Sequence, residues 1–359
     1  MYRQGSSEGA KEVYLRIRSW SDDSLRELFQ AYYSLNPPLV LPKDMARREF
    51  AFQPFGIESY VRHLAFKDEA ALRSYLRAKT PRHAYHSVGI YELPEAPSME
   101  EKGWLGSDLL FDIDLDHPGL CGSQVIDDAC LAKGFEMAQR VAKVVERLLG
   151  GRALIYFTGH RGFHVRGKCD DCLTLGREER KEIAALVRAD GIDLSYLFPL
   201  DSRLPPAAPS PEDPGWRGLI AEGLGGGTRL KVSELSGLIA GLAVDIDAMV
   251  TEDPSRLTRI PGSLNAKGTL IVTPLCDSFS PGPMLSPFRG ELEAKALRQI
   301  DEAKVLGYSV GAVEGEELAL PAPAALYLWS SGLVELRGGE VVVVRNTGWW
   351  PVQGCNWEP

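Results

Sequence analysis

The sequence has few cysteines, no long apolar run and no surplus of basic residues. Its 6 cysteines in 359 residues are too few for a scaffold held by disulfides, which excludes the small cysteine-rich secreted domains. No stretch approaches the roughly 18 apolar residues that a membrane-spanning helix needs. The N-terminal segment lacks the apolar core of a secretory signal. We therefore expect a soluble protein of the cytoplasm with no membrane association.

The charge balance is acidic, with 40 Lys and Arg against 49 Asp and Glu and a net charge of −9. This sign excludes a protein that coats nucleic acid through general positive charge. Any polyanion must be bound by a local basic patch or through divalent metal ions. The 44% hydrophobic and 25% charged residues are typical of a globular protein. The length allows roughly two domains or one elaborated α/β domain.

Local patterns in the N-terminal part predict two helices with two strands between them. In SDDSLRELFQAYYSL, apolar residues at helical spacing follow Ser21, a suitable capping residue. The segment ARREFAFQPFGIESYVRHLAF is rich in aromatic and β-branched residues and predicts two strands around the Pro54–Gly56 turn. A short helix is predicted from Asp68 to Leu76.

The central part predicts a buried strand, a long helix and a hairpin. The apolar run Leu109–Ile113 predicts a buried strand that ends among aspartates. Helical spacing over Asp127–Leu149 indicates a long helix, which two glycines end. ALIYFTG and FHVRG are predicted strands joined by a turn at HRG.

The remainder predicts an inserted lobe and a strand-rich tail. Helices are predicted at 177–188 and 233–242, and the proline-dense stretch LPPAAPSPEDPG between them is a predicted surface loop. We interpret 170–235 as an inserted, mostly helical lobe. Residues 1–169 and 236–359 then form one α/β (or α+β) core with a mixed sheet. In the tail we predict a helix over 291–305 and a hairpin in VELRGGEVVVV.

Two aspartates end the predicted strand of the central part. Asp112 and Asp114 alternate along it, so their carboxylates point to the same face. Two such carboxylates in an apolar strand repel each other, and a pair of Mg²⁺ or Mn²⁺ ions is the natural neutraliser. The alternative is a strand end with solvated acids. Asp247, with Asp245 as the competing candidate, would complete a site for two metals about 4 Å apart, although its segment alone is more typical of a surface turn.

The segment FTGHRGFHV contains the parts of a phosphate site. Gly159 and Gly162 bracket a tight turn whose backbone amides can approach an anion. Thr158, Arg161 and His164 supply further hydrogen-bond donors. The alternative is a glycine-containing hairpin with a packed histidine.

A basic stretch follows later in the chain. RLTRIPGSLNAKGTL contains Arg256, Arg259 and Lys267 and no acid. In an acidic chain, this local reversal of sign is typical of a phosphate-binding strand pair. A solvated basic face fits the same pattern.

The cysteines leave several arrangements open. Cys121 and Cys130 follow the acidic strand, and Cys169 and Cys172 form a lone CxxC. A four-thiolate zinc site could combine the two pairs. Alternatively, one pair could form a disulfide, or all four could be free thiols.

Three segments occur in a fixed order, namely FDID, FTGHRGFHV and VDIDAMVTEDPSRLTRIPGSLNAKG, with a helical insertion before the third. In this combination the sequence resembles the catalytic small subunit of archaeal and eukaryotic DNA primases. The upstream REFAF followed by YVR is similar to the N-terminal pattern of that family. The resemblance extends over about residues 25–275 and implies the fold of the primase catalytic core.

The resemblance also implies roles for individual residues. The implied ligands of the catalytic Mg²⁺ or Mn²⁺ are Asp112, Asp114 and Asp247. Asp247 is preferred to Asp245 because of its distance from LTRIPGSLN, near which the family has its acid. The implied nucleotide-binding residues, the first two implicated in initiation, are Glu49, Arg62, Thr158, Arg161, His164, Arg259 and Lys267.

The chain departs from the family at several positions. Thr158 stands where Ser is frequent, and its hydroxyl is retained. Asn265 stands where His is usual, so the resemblance assigns no triphosphate contact to it. His160 occupies a variable position and receives no role. The family's compact zinc knuckle is represented here by only Cys121 and Cys130, so a structural Zn²⁺ would have to be rebuilt with the CxxC.

The implied reaction is template-directed nucleotidyl transfer by a DNA-directed RNA polymerase. It makes short RNA primers, with some DNA synthesis, for DNA replication. The implied partners are a primase large subunit in a heterodimer, a single-stranded DNA template, and NTPs or dNTPs. The expected location is the nucleoid in the cytoplasm.

Three other functions stay open. One is a related primase-polymerase of end joining or repair. Another is a phosphohydrolase of the haloacid-dehalogenase type, with the first Asp of the pair as nucleophile. Against it, Asp116 stands where that pattern has Thr or Val, and Arg161 and His164 would have no role. The third is a catalytically silent, zinc-stabilised binding subunit, and the retained acids and phosphate-binding residues argue against it.

Overall fold

The structure is a computed structural model that describes residues 11–116, 120–121, 125–192, 197, 209–213, 215–223 and 232–349. Within these ranges, no helix is both long and apolar enough to span a membrane. The helices are α1 (Asp22–Ser34), α2 (Glu69–Lys79), α3 (Asp128–Leu149), α4 (Arg177–Arg188), α5 (Gly215–Gly223), α6 (Val232–Leu242), α7 (Ala248–Glu252) and α8 (Ala322–Ser330).

The strands alternate with these helices along the chain. In order they are β1 (Glu12–Ile17), β2 (Phe50–Gln53), β3 (Val61–Leu64), β4 (His83–Ser87), β5 (Gly89–Tyr91), β6 (Trp104–Ser107), β7 (Leu109–Asp114), β8 (Arg152–Phe157), β9 (Gly162–Lys168), β10 (Leu257–Arg259), β11 (Leu264–Asn265), β12 (Leu270–Ile271), β13 (Thr273–Leu275), β14 (Phe288–Ala296), β15 (Ile300–Val305), β16 (Tyr308–Ala312), β17 (Glu317–Pro321) and β18 (Val334–Val344).

Three four-stranded sheets organise the molecule. The central sheet has the order β13–β8–β9–β7, the N-terminal sheet β10–β4–β2–β3, and the terminal sheet β1–β18–β14–β17. The α+β class is therefore confirmed. We expected a mixed sheet, but every strand pairing among the described residues is antiparallel.

The predicted elements of the first 190 residues are present. Ser21 caps α1, the Asp68 carboxylate caps α2 by accepting from the Ala71 amide, and Asp127 caps α3. The long helix α3 packs on one face of the central sheet, because its apolar face meets the buried alternate residues of β7 and β9. The other face of this sheet therefore carries the polar residues.

The inserted region is helical where it is described. α4 packs on α7, and α5 packs on α3 and α6. Half of the proline-dense stretch, at 204–208 and 214, lies outside the described residues. The division into one core and one inserted lobe stays a prediction.

Two predictions in the tail are wrong. The predicted helix over 291–305 is β14 followed by β15. In β14, Leu292, Ala294 and Ala296 are buried and alternate with more exposed charged residues, which is the period of a strand and not of a helix.

The predicted hairpin in VELRGGEVVVV is also wrong, because β18 is one strand of 11 residues. Gly339 lies at φ +143° and packs so closely on the Glu291 carbonyl of β14 that a Cβ would overlap it. The paired glycines therefore allow a close strand approach beside a register shift and do not form a turn.

Candidate active site

The paired acids of the central sheet lie at the C-terminal end of β7. Register pairs Asp112 with His164 of β9, and Asp114 follows two residues later on the same face. Phe111 and Ile113, which alternate with them, are fully buried, since alternate residues of a strand point to opposite faces. Asp112 is half-buried and Asp114 is exposed. Both acids are thus on the polar face of the sheet.

Asp247 lies beside Asp112 although the two belong to distant segments. Its backbone amide donates to the Asp112 carbonyl oxygen at 3.1 Å. The Thr251 hydroxyl of α7 donates to the backbone of β7 at 2.9 Å, which fixes α7 along this strand. The competing candidate, Asp245, is instead exposed and ion-paired with Arg188 of α4 at 3.6 Å.

The three acids fit metal ligation in type but are turned toward local partners. An Asp114 oxygen accepts from the Asp116 amide at 3.0 Å, and an Asp247 oxygen accepts from the Met249 amide at 3.0 Å. In the part of the chain that the structure describes, no three His, Cys, Asp or Glu side chains are grouped so as to hold a metal ion. Carboxylate oxygens are the ligands that Mg²⁺ and Mn²⁺ prefer. Metal binding would therefore require these carboxylates to come closer together, and each could keep its amide hydrogen bond because a carboxylate has two oxygens.

The Asp112 carboxyl has a perturbed acidity. Burial, and after it the charge of Asp247, raise its pKa to about 6, against the opposing charges of Arg259 and Arg256. A desolvated carboxylate beside a second one is stabilised in its charged form by a cation. The electrostatics of this pair therefore favour binding of a divalent metal ion.

Backbone constraints build the turn between β8 and β9. Thr158 donates through both its amide and its hydroxyl to the Gly162 carbonyl oxygen, each at 3.0 Å. Gly159 lies at φ +79°, which glycine adopts without steric cost, and a Cβ there would lie 2.9 Å from the Leu270 carbonyl oxygen. The Thr158 hydroxyl serves the turn in this structure, and its phosphate contact stays a prediction.

Arg161 lies at the tip of this turn. Its guanidinium donates to Asp116 at 2.7 Å, and the Nε atom has no hydrogen-bond partner among the described residues. The Tyr327 hydroxyl of α8 donates to the His160 carbonyl oxygen at 3.2 Å. Helix α8 thus supports the turn from behind, and Arg161 keeps capacity for an anion.

His164 lies between the acids and the basic strand. Its Nε2 is 3.5 Å from an Asp112 oxygen, and its Nδ1 is 3.1 Å from the Thr258 hydroxyl. Burial, and after it the charge of Arg259, lower the pKa of His164 to about 3. The imidazole is therefore neutral at pH 7 and has one donor and one acceptor nitrogen.

Arg259 on β10 stacks on an aromatic ring. Its guanidinium carbon is 4.9 Å from the centre of the Tyr85 ring, and Nη1 is 3.2 Å from His83 Nδ1. Burial, and after it the charge of Arg259, lower the pKa of His83 to about 2, so this nitrogen accepts the hydrogen bond. These contacts orient Arg259 on the N-terminal sheet.

Asn265 organises the segment that carries Lys267. The buried Asn265 amide donates to the Thr158 carbonyl at 2.8 Å, and its oxygen accepts from the Lys267 backbone amide at 3.0 Å. The residue that replaces the expected His is therefore a bridge between the phosphate turn and the basic segment. Lys267 itself is exposed.

A cavity of about 760 Å³ opens beside this bridge. It is bounded by the β8–β9 turn, the start of α1, the β2–β3 hairpin and the end of α8. Its cationic side chains are Arg26, Arg82, Arg161 and Lys267, and its acidic side chain is Asp23. Positive side chains outnumber negative ones around this cavity, although the chain as a whole is acidic. Such a cavity favours binding of a negatively charged phosphate group.

Glu49 and Arg62 form an internal ion pair on the N-terminal sheet. Arg62 donates to the Glu49 carboxylate at 2.9 Å, and the buried Lys102 lies 3.5 Å from its other oxygen. Burial acts to raise the pKa of Glu49, but the Arg62 and His63 hydrogen bonds and the Lys102 charge lower it overall. Arg62 is 39% exposed. The proposed contact of this pair with a nucleotide stays a prediction, and sequence reasoning missed Lys102.

The four cysteines of the expected zinc site are paired in this structure, and the zinc ion stays a prediction. Cys121 is joined to Cys130 and Cys169 to Cys172 as disulfides. A sulfur in a disulfide is not the thiolate that zinc requires, so zinc binding would require both pairs to be reduced. The sequence left open that one pair forms a disulfide, and in the structure both pairs do.

Two further functional candidates were absent from the sequence reasoning. Thr258 contacts His164, and Tyr156 hydrogen-bonds to Thr258. Thr258 lies between Leu257 and Arg259 in the basic strand, and its place there carries no distinctive signal. Only the pairing of β10 with β4 and the fold of the two sheets bring it to the histidine.

The site residues lie within the region that this chain shares with known proteins. The family described as DNA primase small subunit matches residues 111–276. DNA primase small subunit PriS of Aeropyrum pernix is 46% identical, over 91% of this chain and 97% of its own length. PriS of Saccharolobus solfataricus is 36% identical over 87% and 95%, and PriS of Sulfurisphaera tokodaii is 38% identical over 74% and 82%.

One solved structure is a more distant match. The polymerase domain of Mycobacterium tuberculosis ligase D, in complex with DNA, covers 71% of this chain and 81% of its own, with 14% identity and a TM-score of 0.39. We base no conclusion on a likeness of this size.

Proposed function

Because this chain belongs to the DNA primase small subunit family, we propose that it is the primase catalytic subunit and joins nucleotides into short RNA primers on a DNA template. Asp112 and Asp247 support the proposal most directly, since the fold brings two acids from distant segments together. The family name shows a primase subunit, and the finer chemistry below is our inference.

Asp112, Asp114 and Asp247 would hold two divalent ions, either Mg²⁺ or Mn²⁺. Such ions would lower the pKa of the primer 3′-hydroxyl and neutralise the charge that develops at the α-phosphate. The raised pKa of Asp112 supports this assignment, because a site that disfavours two bare carboxylates favours a cation.

The basic residues of this site would bind the triphosphate. Arg161 and Lys267 line the cationic cavity, and the stacked Arg259 lies on the neighbouring sheet. Guanidinium groups donate in a planar fork that matches phosphate oxygens. His164 would donate through one nitrogen without carrying a charge. Together these groups orient the leaving pyrophosphate away from the acids.

A primer-synthesis assay tests the proposal. The chain is incubated with single-stranded DNA, labelled NTPs and Mg²⁺ or Mn²⁺, and the products are separated by length. We expect short RNA products that the Asp112→Asn variant does not make. Extension of a primer only with dNTPs, with no initiation on bare template, would favour a repair-type primase-polymerase. Hydrolysis of p-nitrophenyl phosphate without nucleotide incorporation would contradict the proposal.

The proposed partner is a primase large subunit, as the family name implies a second subunit. The net charge of −9 supports a division of labour in which that subunit supplies much of the DNA-binding surface. Titrations of DNA binding against salt, for the lone chain and the heterodimer, should then differ strongly. Equal tight binding by both would contradict the division. The proposed location of this enzyme is the nucleoid in the cytoplasm.

A further inference from the structure

We propose that Thr258 is a positioning residue that, with Tyr156 behind it, fixes one tautomer and one orientation of His164, so that Nε2–H faces Asp112 and the incoming phosphates. The inference rests on the proposed function for its catalytic consequence. The hydrogen-bond arrangement that carries it is a property of the resting protein.

The three residues meet at one buried point between the central and N-terminal sheets. His164 on β9 is flanked in register by Asp112 on β7 and Tyr156 on β8. Thr258 comes from β10 of the other sheet and places its hydroxyl 3.1 Å from His164 Nδ1. The Tyr156 hydroxyl also hydrogen-bonds to the Thr258 hydroxyl. Thr258 and Tyr156 are almost fully buried, so water does not compete for these hydrogen bonds.

The donors and acceptors in this row have one consistent direction. A carboxylate only accepts, so the ring nitrogen that faces Asp112 at 3.5 Å carries the hydrogen. With the hydrogen on Nε2, Nδ1 is the acceptor, and the Thr258 hydroxyl donates its single hydrogen to it. The Tyr156 hydroxyl therefore donates to the Thr258 oxygen. Hydrogen bonds therefore run from Tyr156 through Thr258 to His164, whose Nε2–H faces Asp112.

This direction matters because phosphate oxygens, like carboxylates, are acceptors. A histidine with its hydrogen on Nδ1 would present a lone pair to them and repel them. The protein thus obtains a hydrogen-bond donor beside the three acids. A buried hydroxyl on the far nitrogen fixes such a tautomer.

The ring is also held against rotation. Its plane meets the Tyr156 ring edge-on, with centroids 5.3 Å apart and an interplanar angle of 69°. An aromatic wall on one side and a hydroxyl at Nδ1 leave one orientation in which both ring nitrogens have partners. Loss of the Thr258 hydroxyl removes the second of these constraints.

The test compares Thr258→Val with Thr258→Ser, since valine keeps the shape and loses the hydroxyl while serine keeps the hydroxyl. Thr273→Val is the matched control, because Thr273 is a buried threonine whose hydroxyl donates to the Ile271 carbonyl at 2.9 Å. Tyr156→Phe removes only the outer donor. Thermal unfolding establishes that each variant is folded.

The first measurement is ¹⁵N NMR of histidine-labelled protein without metal or nucleotide, with His164→Gln used to assign the ring signals. We expect the Nε2–H tautomer in the parent, in Thr258→Ser and in Thr273→Val, and a mixture or the Nδ1–H tautomer in Thr258→Val. A parent ring in the Nδ1–H form, or an unchanged ring in Thr258→Val, would overturn the proposal. This readout does not depend on activity, so it separates failure of this inference from failure of the proposed function.

The second measurement is the KM for NTP in primer extension. We expect about a 5–10-fold rise for Thr258→Val, a smaller rise of about 2–3-fold for Tyr156→Phe, and near-parent values for Thr258→Ser. If Thr258→Val does not fold, Tyr156→Phe carries both measurements. A similar rise in Thr273→Val, or no rescue by serine, would mean a general structural effect and would contradict a positioning role.

Discussion

The Asp247 amide donates a hydrogen bond to the Asp112 carbonyl at 3.1 Å, and its carboxylate contributes to the raised pKa of Asp112. Asp247 thus binds the edge of β7 through its backbone, while its side-chain charge repels the carboxylate of Asp112. The backbone contact holds two like charges together, which a fold maintains only where burial elsewhere compensates. This juxtaposition is the basis of the first prediction.

Asp247→Asn should lower primer synthesis by more than about 100-fold, because it removes one carboxylate from the proposed metal site. It should not lower the melting temperature, since the repulsion on Asp112 is relieved. Asp245→Asn is the matched control two residues away, and it should keep near-parent activity because Asp245 pairs with Arg188 at the surface. Calorimetric titration with Mn²⁺ should show weaker binding for the first variant only. Equal loss of activity in both variants would contradict the choice of Asp247.

Asn265→Ala should lower the free energy of unfolding by about 1–3 kcal/mol, because it leaves the Thr158 carbonyl and the Lys267 amide without the partner they share. It should also raise the KM for NTP, since the phosphate turn and the basic segment lose their bridge. Urea unfolding and extension kinetics measure the two effects. Asn265→Asp would place a buried carboxylate oxygen against the Thr158 carbonyl, so a loss at least as large is expected. A parent-like KM in Asn265→Ala would show that the bridge has no role in the site.

Acid should destabilise the protein through buried histidines. Burial is the first cause that lowers the pKa of each of four rings, namely His83, His86, His160 and His164. Below about pH 6.5 the unfolded chain binds protons that the folded chain excludes, so the free energy of unfolding falls by up to about 1.4 kcal/mol per pH unit for each ring. The raised pKa of Asp112 acts in the opposite direction below about pH 6, but it is a single group.

Urea titrations at pH 7, 6 and 5 measure this dependence. His86→Gln should give a shallower slope, because it removes one ring that lies near Arg166 and Arg48. An unchanged slope in this variant would mean that His86 charges in the folded state as readily as in the unfolded chain.

The cysteine pairs should stabilise the protein as cross-links and not as metal ligands. Protein purified without reductant should contain no zinc and should show no free thiol at these four cysteines. Replacing Cys121 and Cys130 together by serine should cost about 2–3 kcal/mol, and replacing Cys169 and Cys172 should cost less, because their loop is shorter. Elemental analysis, thiol titration and thermal unfolding with and without reductant provide the measurements. One equivalent of zinc with four reactive thiols would restore the zinc site.

Asp108→Asn should be strongly destabilising. The buried Asp108 carboxylate lies 3.1 Å from Arg48 and 3.8 Å from Arg166, so it joins the entry to β2, the entry to β7 and the middle of β9. Removing its charge takes the carboxylate away from the buried Arg166 guanidinium, while Arg48 keeps its pair with Asp44 at 2.8 Å, and we expect a cost of about 3–5 kcal/mol. Glu335→Gln, which breaks the exposed pair with Arg337, should cost less than about 0.5 kcal/mol. Chemical unfolding of the two variants compares these costs.

The sequence predicted the elements whose pattern is local. The caps at Ser21, Asp68 and Asp127 and the apolar periods behind them suffice for α1, α2 and α3. The tail was misread for a physical reason. β14 contains ELEAKA, which has good helix formers, and only the burial of its alternate residues in the terminal sheet makes it a strand.

The candidate site divides in the same way. Residue types and spacing pointed to Asp112, Arg161 and His164, and the resemblance placed them in one family. Contacts between segments far apart in the chain could not be read from spacing. The hydroxyl of Thr258 at His164 and the bridge made by Asn265 depend on how two sheets meet.

The terminal sheet has a consequence for how the molecule is made. Among the described residues, β1 pairs only with β18, and β18 also separates β1 from β14. During synthesis on the ribosome, β1 emerges long before β18 and lacks this strand partner until β18 has been translated. A nascent chain that stalls within the last strand therefore carries an open β-edge, and we expect chaperones to bind such intermediates.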